Sequence, residues 1–472
     1  MQLSHLALAA AVPALVAAVP AKRDTIASGL IFAPPSDGPT VQSVNGNGMN
    51  NGTLKNGPTV TGKAFDRIIQ IWLENTDAAT AFSTPAFMDL AKQGISLTSS
   101  YGVTHPSEPN YLAAVTGDFF GLADDSFNHV PTNITSVFDL LDEKAISWTC
   151  YQENLPTDGY TGFNYTQKAY INGSATWTYY VRKHNPCAML DGVSGNATRR
   201  ERNRNFNDLA ADVNGNAVPQ WTFITPNMVN DGHDTSPAFL SNWTDFFLVP
   251  LLNNTNFNTN RTLIVLTFDE DEDYTVNNRI ATILLGGAVP KELVGTSDDT
   301  YFTHFSLLAT VENNWGLKHL GRGDVNKTMA NVLSFVAEKT GYQNMNVSEA
   351  DRPLTNLTGV APGPLSATYY TNFYAPPNAN VTGPGGQGVL ILPGMNMSQI
   401  LTANTPTVNL TATGAKRPYG TDPYAPASTS TTAATSSPSG AAAPSLRVAG
   451  AGLGSLAAAG LAVVGAAMFT LL

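Results

Sequence analysis

Apolar runs, each the length of one buried strand, recur along residues 64–345: R-I-I-Q-I-W-L (67–73), I-S-W-T-C-Y (146–151), W-T-F-I-T (221–225), T-L-I-V-L-T-F (262–268) and R-I-A-T-I-L-L (279–285). Strands apolar on both faces must be covered on both, as in a mostly parallel sheet between two helical layers. The stretches between them can supply that cover. T-P-A-F-M-D-L-A-K-Q-G (84–94) predicts a helix with Thr84 as N-cap, Pro85 in the first turn and Gly94 as the stop. Further helices are expected at 136–144, within 236–252, and at about 304–316 and 328–339. The expected fold class is therefore α/β.

The flanks read differently. Residues 1–21 have the apolar stretch and small-residue end of a signal peptide, with cleavage near Ala18 or Ala21. Residues 22–63 are Gly/Asn/Pro-rich and read as an extended N-terminal arm. Residues 346–412, rich in Pro and Gly, read as a small β-rich extension, and 413–445 as a Ser/Thr/Pro/Ala-rich stalk. The tail, 446–472, is apolar and runs to the last residue without a basic cluster, the layout of a GPI-attachment signal; a single tail-anchor helix is the competing reading. A net charge of -11 with no basic stripe argues against a nucleic-acid partner.

Sequons at Asn51, Asn133, Asn164, Asn172, Asn196, Asn242, Asn253, Asn260, Asn326, Asn346, Asn356, Asn380, Asn396 and Asn409 agree with a secretory route and predict N-glycosylation. In that oxidising setting the only cysteines, Cys150 and Cys187, are expected to pair. The chain is expected to be secreted and held at the outer face of the plasma membrane or in the cell wall through a GPI anchor.

Ligands of open α/β sheets bind beyond the carboxyl ends of the strands. There the run at 67–73 ends in Glu74-Asn75, the run at 221–225 leads through Pro226-Asn227 to N-D-G-H-D (230–234), and the run at 262–268 ends in Asp269-Glu270. Carboxylates, an amide and an imidazole on one edge suit a divalent metal. Asp271, Glu272 and Asp273 lie farther into the loop and read as a solvated turn. Y-G-V-T-H-P-S-E-P-N-Y-L-A-A-V-T-G-D (101–118) places Ser107 at or just before the start of a short helix ended by Gly117. An N-cap is the ordinary role for such a serine; beside a metal edge it becomes a candidate nucleophile.

The set W-L-E-N-T-D, T-H-P-S-E-P-N-Y-L-A-A-V-T-G, I-T-P-N-M-V-N-D-G-H-D, T-F-D-E-D and Y-F-T-H-F-S-L-L-A-T-V-E-N-N-W-G-L resembles the secreted fungal acid phosphatases. These belong to the phosphoesterase family that also holds bacterial phospholipases C, whose fold is similar to alkaline phosphatase. The resemblance covers roughly residues 64–342 and implies an alkaline-phosphatase-like α/β/α sandwich. It implies a phosphate monoesterase for phosphate scavenging, working through a phosphoserine, with Glu74, Asn75, Asp269 and Glu270 as metal ligands. Glu270 departs from the second aspartate or histidine that many members carry there. Ser107 resembles the nucleophile before Pro-Asn, and Asn110 a phosphate holder. K-H-N-P (183–186) implies Lys183 or His184 near the phosphate. His233 and His304 resemble the histidines of two-metal relatives, as leaving-group acid or, with Asn227, as a second metal set. A phosphodiesterase or phospholipase C on the same scaffold, and a non-catalytic GPI-anchored wall protein, are the competing readings.

Overall fold

The computed structural model describes residues 51–167, 176–352 and 361–424. The signal peptide, most of the arm, most of the stalk and the apolar tail lie outside the described residues. So do Asn172 and Asn356.

The strands are β1 (Arg67–Leu73), β2 (Ile95–Tyr101), β3 (Trp148–Gln152), β4 (Asn164–Gln167), β5 (Trp177–Val181), β6 (Asn203–Asn205), β7 (Trp221–Thr225), β8 (Thr262–Phe268), β9 (Arg279–Leu285), β10 (Thr296–Asp298) and β11 (Phe302–Thr303). A nine-stranded sheet runs β10-β2-β9-β8-β1-β7-β3-β6, with β11 also on β2, and β4 and β5 form a separate hairpin. β9 is antiparallel to both neighbours, β2 and β8, whereas the other pairs in this sheet are parallel. The class is α/β with a mostly parallel sheet, as expected.

The two-sided apolar runs explain the layers. Along β1, Ile68 and Trp72 face one core together with Phe223, Val265 and residues of the helices Ser107–Thr116 and His304–Trp315. Ile69, Ile71 and Leu73 face a second core with Ile264, Leu266 and residues of the helices Pro85–Ala91, Phe206–Asn214 and Pro237–Leu252. Burying each such side chain stabilises the fold by roughly 1.5–3 kcal/mol. The register aligns Leu73 of β1 with Phe268 of β8, and Ile71 with Ile224 of β7. The residues that follow these strands therefore emerge at one edge.

Three expectations change. β2, I-S-L-T-S-S-Y, passes unseen because its small hydroxyl residues read as turn chemistry, yet Ser99 and Ser100 are buried. The last helix is shorter than 328–339, spanning Ser334–Thr340. The β-rich extension is not found: the described residues 361–424 hold isolated bridges and one short helix, Leu410–Thr413. This segment, rich in Pro and Gly, meets its backbone needs by lying on the α/β domain: Asn378 N donates to Gly321 O (2.7 Å), and Leu390 N to His319 O (2.9 Å). Arg417 pairs with Asp124 at 2.8 Å. Among the described residues no helix is long and apolar enough to cross a membrane.

Candidate active site

Ser107 owes its position to β2. Beyond Tyr101 the chain passes Gly102, where a Cβ would come within 2.8 Å of Asp269 O, so only glycine lets this loop pass so close to the end of β8. The loop is then folded by Asn110, whose Oδ1 accepts from Val103 N (2.8 Å) and Thr104 N (3.1 Å) and whose Nδ2 donates to Thr104 O (2.8 Å). Ser107 opens the Ser107–Thr116 helix, which Gly117 ends in the left-handed conformation (φ 75°) as expected. Its Oγ donates toward Glu74 Oε2 (3.2 Å) and lies 3.4 Å from Glu270 Oε1, thus between the ends of β1 and β8.

Four buried carboxylates cluster here: Glu74, Asp269 and Glu270 beside Ser107, and Asp231 beyond Glu74. Burial raises the pKa of each, to about 7 for Asp269. Neighbouring charge adds to the rise at Glu74, from Asp269 and Asp231, and at Glu270, from Asp269. His184 Nε2 is 3.2 Å from Glu74 Oε1 and its Nδ1 3.4 Å from Asp231 Oδ2. Burial, reinforced by Lys183 and His233, lowers the His184 pKa well below the usual value and keeps the ring neutral. A neutral imidazole does not neutralise the neighbouring acids. Asn75 Oδ1, Asp231 Oδ2, Asp269 Oδ2 and His184 Nε2 are buried without a hydrogen-bond partner. Orphaned oxygens and one neutral nitrogen around concentrated negative charge fit a divalent cation. Glu74, His184 and Asp231 have ligand atoms within 4.8 Å of one another.

Of the expected ligands, Glu74, Asp269 and Glu270 lie beside Ser107, and Asn75 joins them through its backbone N, which donates to Asp269 Oδ1 at 3.4 Å. Other expectations need correction. Asn110 braces its own loop, with its Nδ2 also 3.4 Å from Glu270 Oε2, and the second helix amide, Glu108 N, is taken by Asp125 Oδ1 (3.0 Å) and so is not free for an anion. His304, presented by the Thr303–Ser306 capping box, places Nε2 2.5 Å from Asp269 O and packs at a tilt of 36° against Trp72. Burial lowers its pKa to about 4, and its Nε2 is committed to the Asp269 backbone, which it buttresses. Asn227 Oδ1 accepts from Val229 N and Asn230 N (both 3.0 Å), and its Nδ2 donates to Asn154 (2.7 Å). The second metal set of Asn227, His233 and His304 is thus not assembled: turn closure and packing claim two of its three side chains.

Lys183 and His233 stand side by side, Nζ 3.2 Å from Nε2, with Lys183 on Asp125 Oδ2 (3.1 Å) and His233 Nδ1 on Asp234 (2.9 Å). Burial pulls the Lys183 pKa down, but Asp125 and Glu74 outweigh it and hold the ammonium charged. Asp271, expected in solvent, is buried, and burial beside Asp77 raises its pKa to about 7.

Several site residues escape the sequence reading. His105, with Nδ1 2.7 Å from Glu270, and Tyr111, with its hydroxyl 2.5 Å from Glu74 Oε1, lie inside the serine motif but carry no spacing signal of their own. Asp125 carries none. Asp231 is visible only as a neighbour of His233.

The Cys150–Cys187 disulfide is present and closes a separation of 37 residues. It ties β3 to the short helix Pro186–Met189, immediately after Lys183-His184. Replacing both cysteines by alanine is expected to lower unfolding free energy by ~2–4 kcal/mol. Denaturant melts of oxidised wild type and the double variant measure this, and equal midpoints would deny the cross-link any stabilising role.

The phosphoesterase family profile matches residues 72–318. The chain is 49% identical over 336 residues to an acid phosphatase of Aspergillus fumigatus, covering 70% of this chain and 72% of that protein. It is 43% identical to the phosphate-repressible acid phosphatase of Penicillium chrysogenum, covering 70% and 77%. At 30% identity it matches a phosphatidylinositol-3-phosphatase of Mycobacterium tuberculosis, over 54% of this chain and 79% of that one. A solved alkaline phosphatase superfamily protein from Vibrio parahaemolyticus matches 54% of this chain and 67% of its own at 13% identity and a TM-score of 0.34, too loosely to transfer residue roles.

Proposed function

We propose, for a chain that belongs to the phosphoesterase family and is a phosphoric monoester hydrolase, that it is a secreted, metal-dependent acid phosphatase working through a phosphoserine at Ser107. The observation that carries this reading is the buried Ser107 hydroxyl, 3.2 Å from Glu74 and 3.4 Å from Glu270, at the edge where β1 and β8 end. Ser107 loses its proton toward these carboxylates as its Oγ bonds to phosphorus and the ester P–O bond breaks. A divalent cation held by Glu74, Asn75, Asp269 and Glu270, with His184 and Asp231 beside it, would lower the serine pKa and balance charge on the phosphoryl oxygens. Lys183 supplies a fixed positive charge toward the same oxygens. The leaving alkoxide takes its proton from the Lys183–His233 pair, in which Nζ and Nε2 lie 3.2 Å apart; His233 is the better exposed of the two candidate histidines. Water then cleaves the Oγ–P bond with the proton transfers reversed.

Secretion with surface glycans is supported by the disulfide and by sequon placement. Every described sequon asparagine is exposed except Asn133, which is half-buried. Tethering through a GPI signal and a role in phosphate scavenging remain part of the proposal.

The test is substrate class. Purified protein is expected to hydrolyse p-nitrophenyl phosphate and leave bis-p-nitrophenyl phosphate and phosphatidylcholine intact. The reverse preference would overturn the monoesterase reading in favour of a phosphodiesterase or phospholipase C.

A further inference from the structure

The mouth of the site carries an aromatic side chain that the phosphoryl chemistry does not use. Tyr274 stands on the loop after the acid pair, the residue 47% exposed. Its ring stacks on His105 with centroids 3.9 Å apart at 29°. Its hydroxyl lies 3.5 Å from Glu270 Oε1, the same oxygen that faces Ser107 Oγ at 3.4 Å. His105, Ser107 and Glu270 are buried, so the tyrosine rises from the floor of the site to solvent.

The loop is built to hold it there. Asp271 N donates to Asn278 Oδ1 (2.7 Å), and Asn278 Nδ2 to Thr104 O (2.8 Å), which clips the acidic loop to the serine loop. Asp273 Oδ1 accepts from Thr275 N (2.8 Å) and from the Thr275 hydroxyl (2.6 Å), closing the turn around Tyr274. In-line displacement directs the leaving oxygen away from the attacking one. With Ser107 at the buried floor, the leaving group projects outward, along the course that Tyr274 takes to solvent.

We propose that Tyr274 determines specificity in the leaving-group direction. Its ring gives a stacking surface to monoesters of aryl or other flat-ring alcohols and so favours them over esters of small aliphatic alcohols. Offset stacking adds to plain area burial, and a flat ring gains from it where glycerol cannot. The inference rests on the reading of Ser107 as the nucleophile.

The experiment compares kcat/KM for phenyl phosphate and glycerol 2-phosphate in wild type, Tyr274→Ala and Tyr274→Phe, with Ser107→Ala run alongside. The phenyl-to-glycerol ratio is expected to fall about three- to tenfold in Tyr274→Ala, mainly through KM for phenyl phosphate, and to hold in Tyr274→Phe. An unchanged ratio, including an equal loss on both substrates, overturns the inference. An equal fall in Tyr274→Phe also overturns it, because it assigns the effect to the hydroxyl on Glu270. Full activity in Ser107→Ala would instead sink the nucleophile reading, whatever the ratio does.

Discussion

Ser107→Ala is expected to lower kcat on p-nitrophenyl phosphate by ~10,000-fold or more, because covalent catalysis loses its only attacking atom while the rest of the site stays in place. The hydroxyl contributes little to the fold: its partners are the site carboxylates Glu74, Glu270 and Asp269. A thermal melt within a few degrees of wild type should accompany the loss. Wild-type protein quenched in acid during turnover should carry phosphate on the peptide containing Ser107, and the variant should not. Retention of even a tenth of the rate with an intact fold would remove the phosphoserine pathway.

Asp269→Ala has the second largest expected effect. Asp269 lies at the end of β8, takes Asn75 N on Oδ1 and keeps Oδ2 unpartnered, while His304 fixes its backbone carbonyl. Such a side chain is costly to bury unless a cation meets it. The variant is expected to lose metal in elemental analysis and to drop kcat by roughly 1,000-fold. A readout independent of turnover follows from linkage: a ligand that binds only the folded state raises its melting temperature. Chelator should therefore lower the melting temperature of wild type and leave that of Asp269→Ala almost unmoved. Full metal content and rate in the variant would place the cation elsewhere, with Glu74, His184 and Asp231 the next group to test.

Much of the fold and part of this site are legible along the chain. β1, β7, β8 and β9 have the ends that their apolar runs predict, because a strand buried on both faces stops where water-seeking groups begin. Glu74, Asn75, Asp269 and Glu270 are legible for the same reason, as the first polar residues past a strand end. β2 is the opposite case. Its serines and threonine read as loop, but they pack in a sheet whose neighbours supply the apolar surface, and the strand carries the nucleophile loop to the edge. His304 fits a histidine position in the motif pattern. Only packing reveals that its Nε2 is already committed to Asp269 O.

What the sequence by itself determined is the α/β layering, the polar edge and the residues offered there, since each follows from local burial and from spacing within a few positions. What only the tertiary structure decided is which of those residues meet. His184 arrives from a disulfide-anchored segment and Asp231 from the loop after β7. Tyr274 arrives from the acidic run's own turn, and Asn110 turns inward to hold its loop. Convergence depends on strand register and side-chain direction between segments more than a hundred residues apart, and periodicity along one segment carries no record of either.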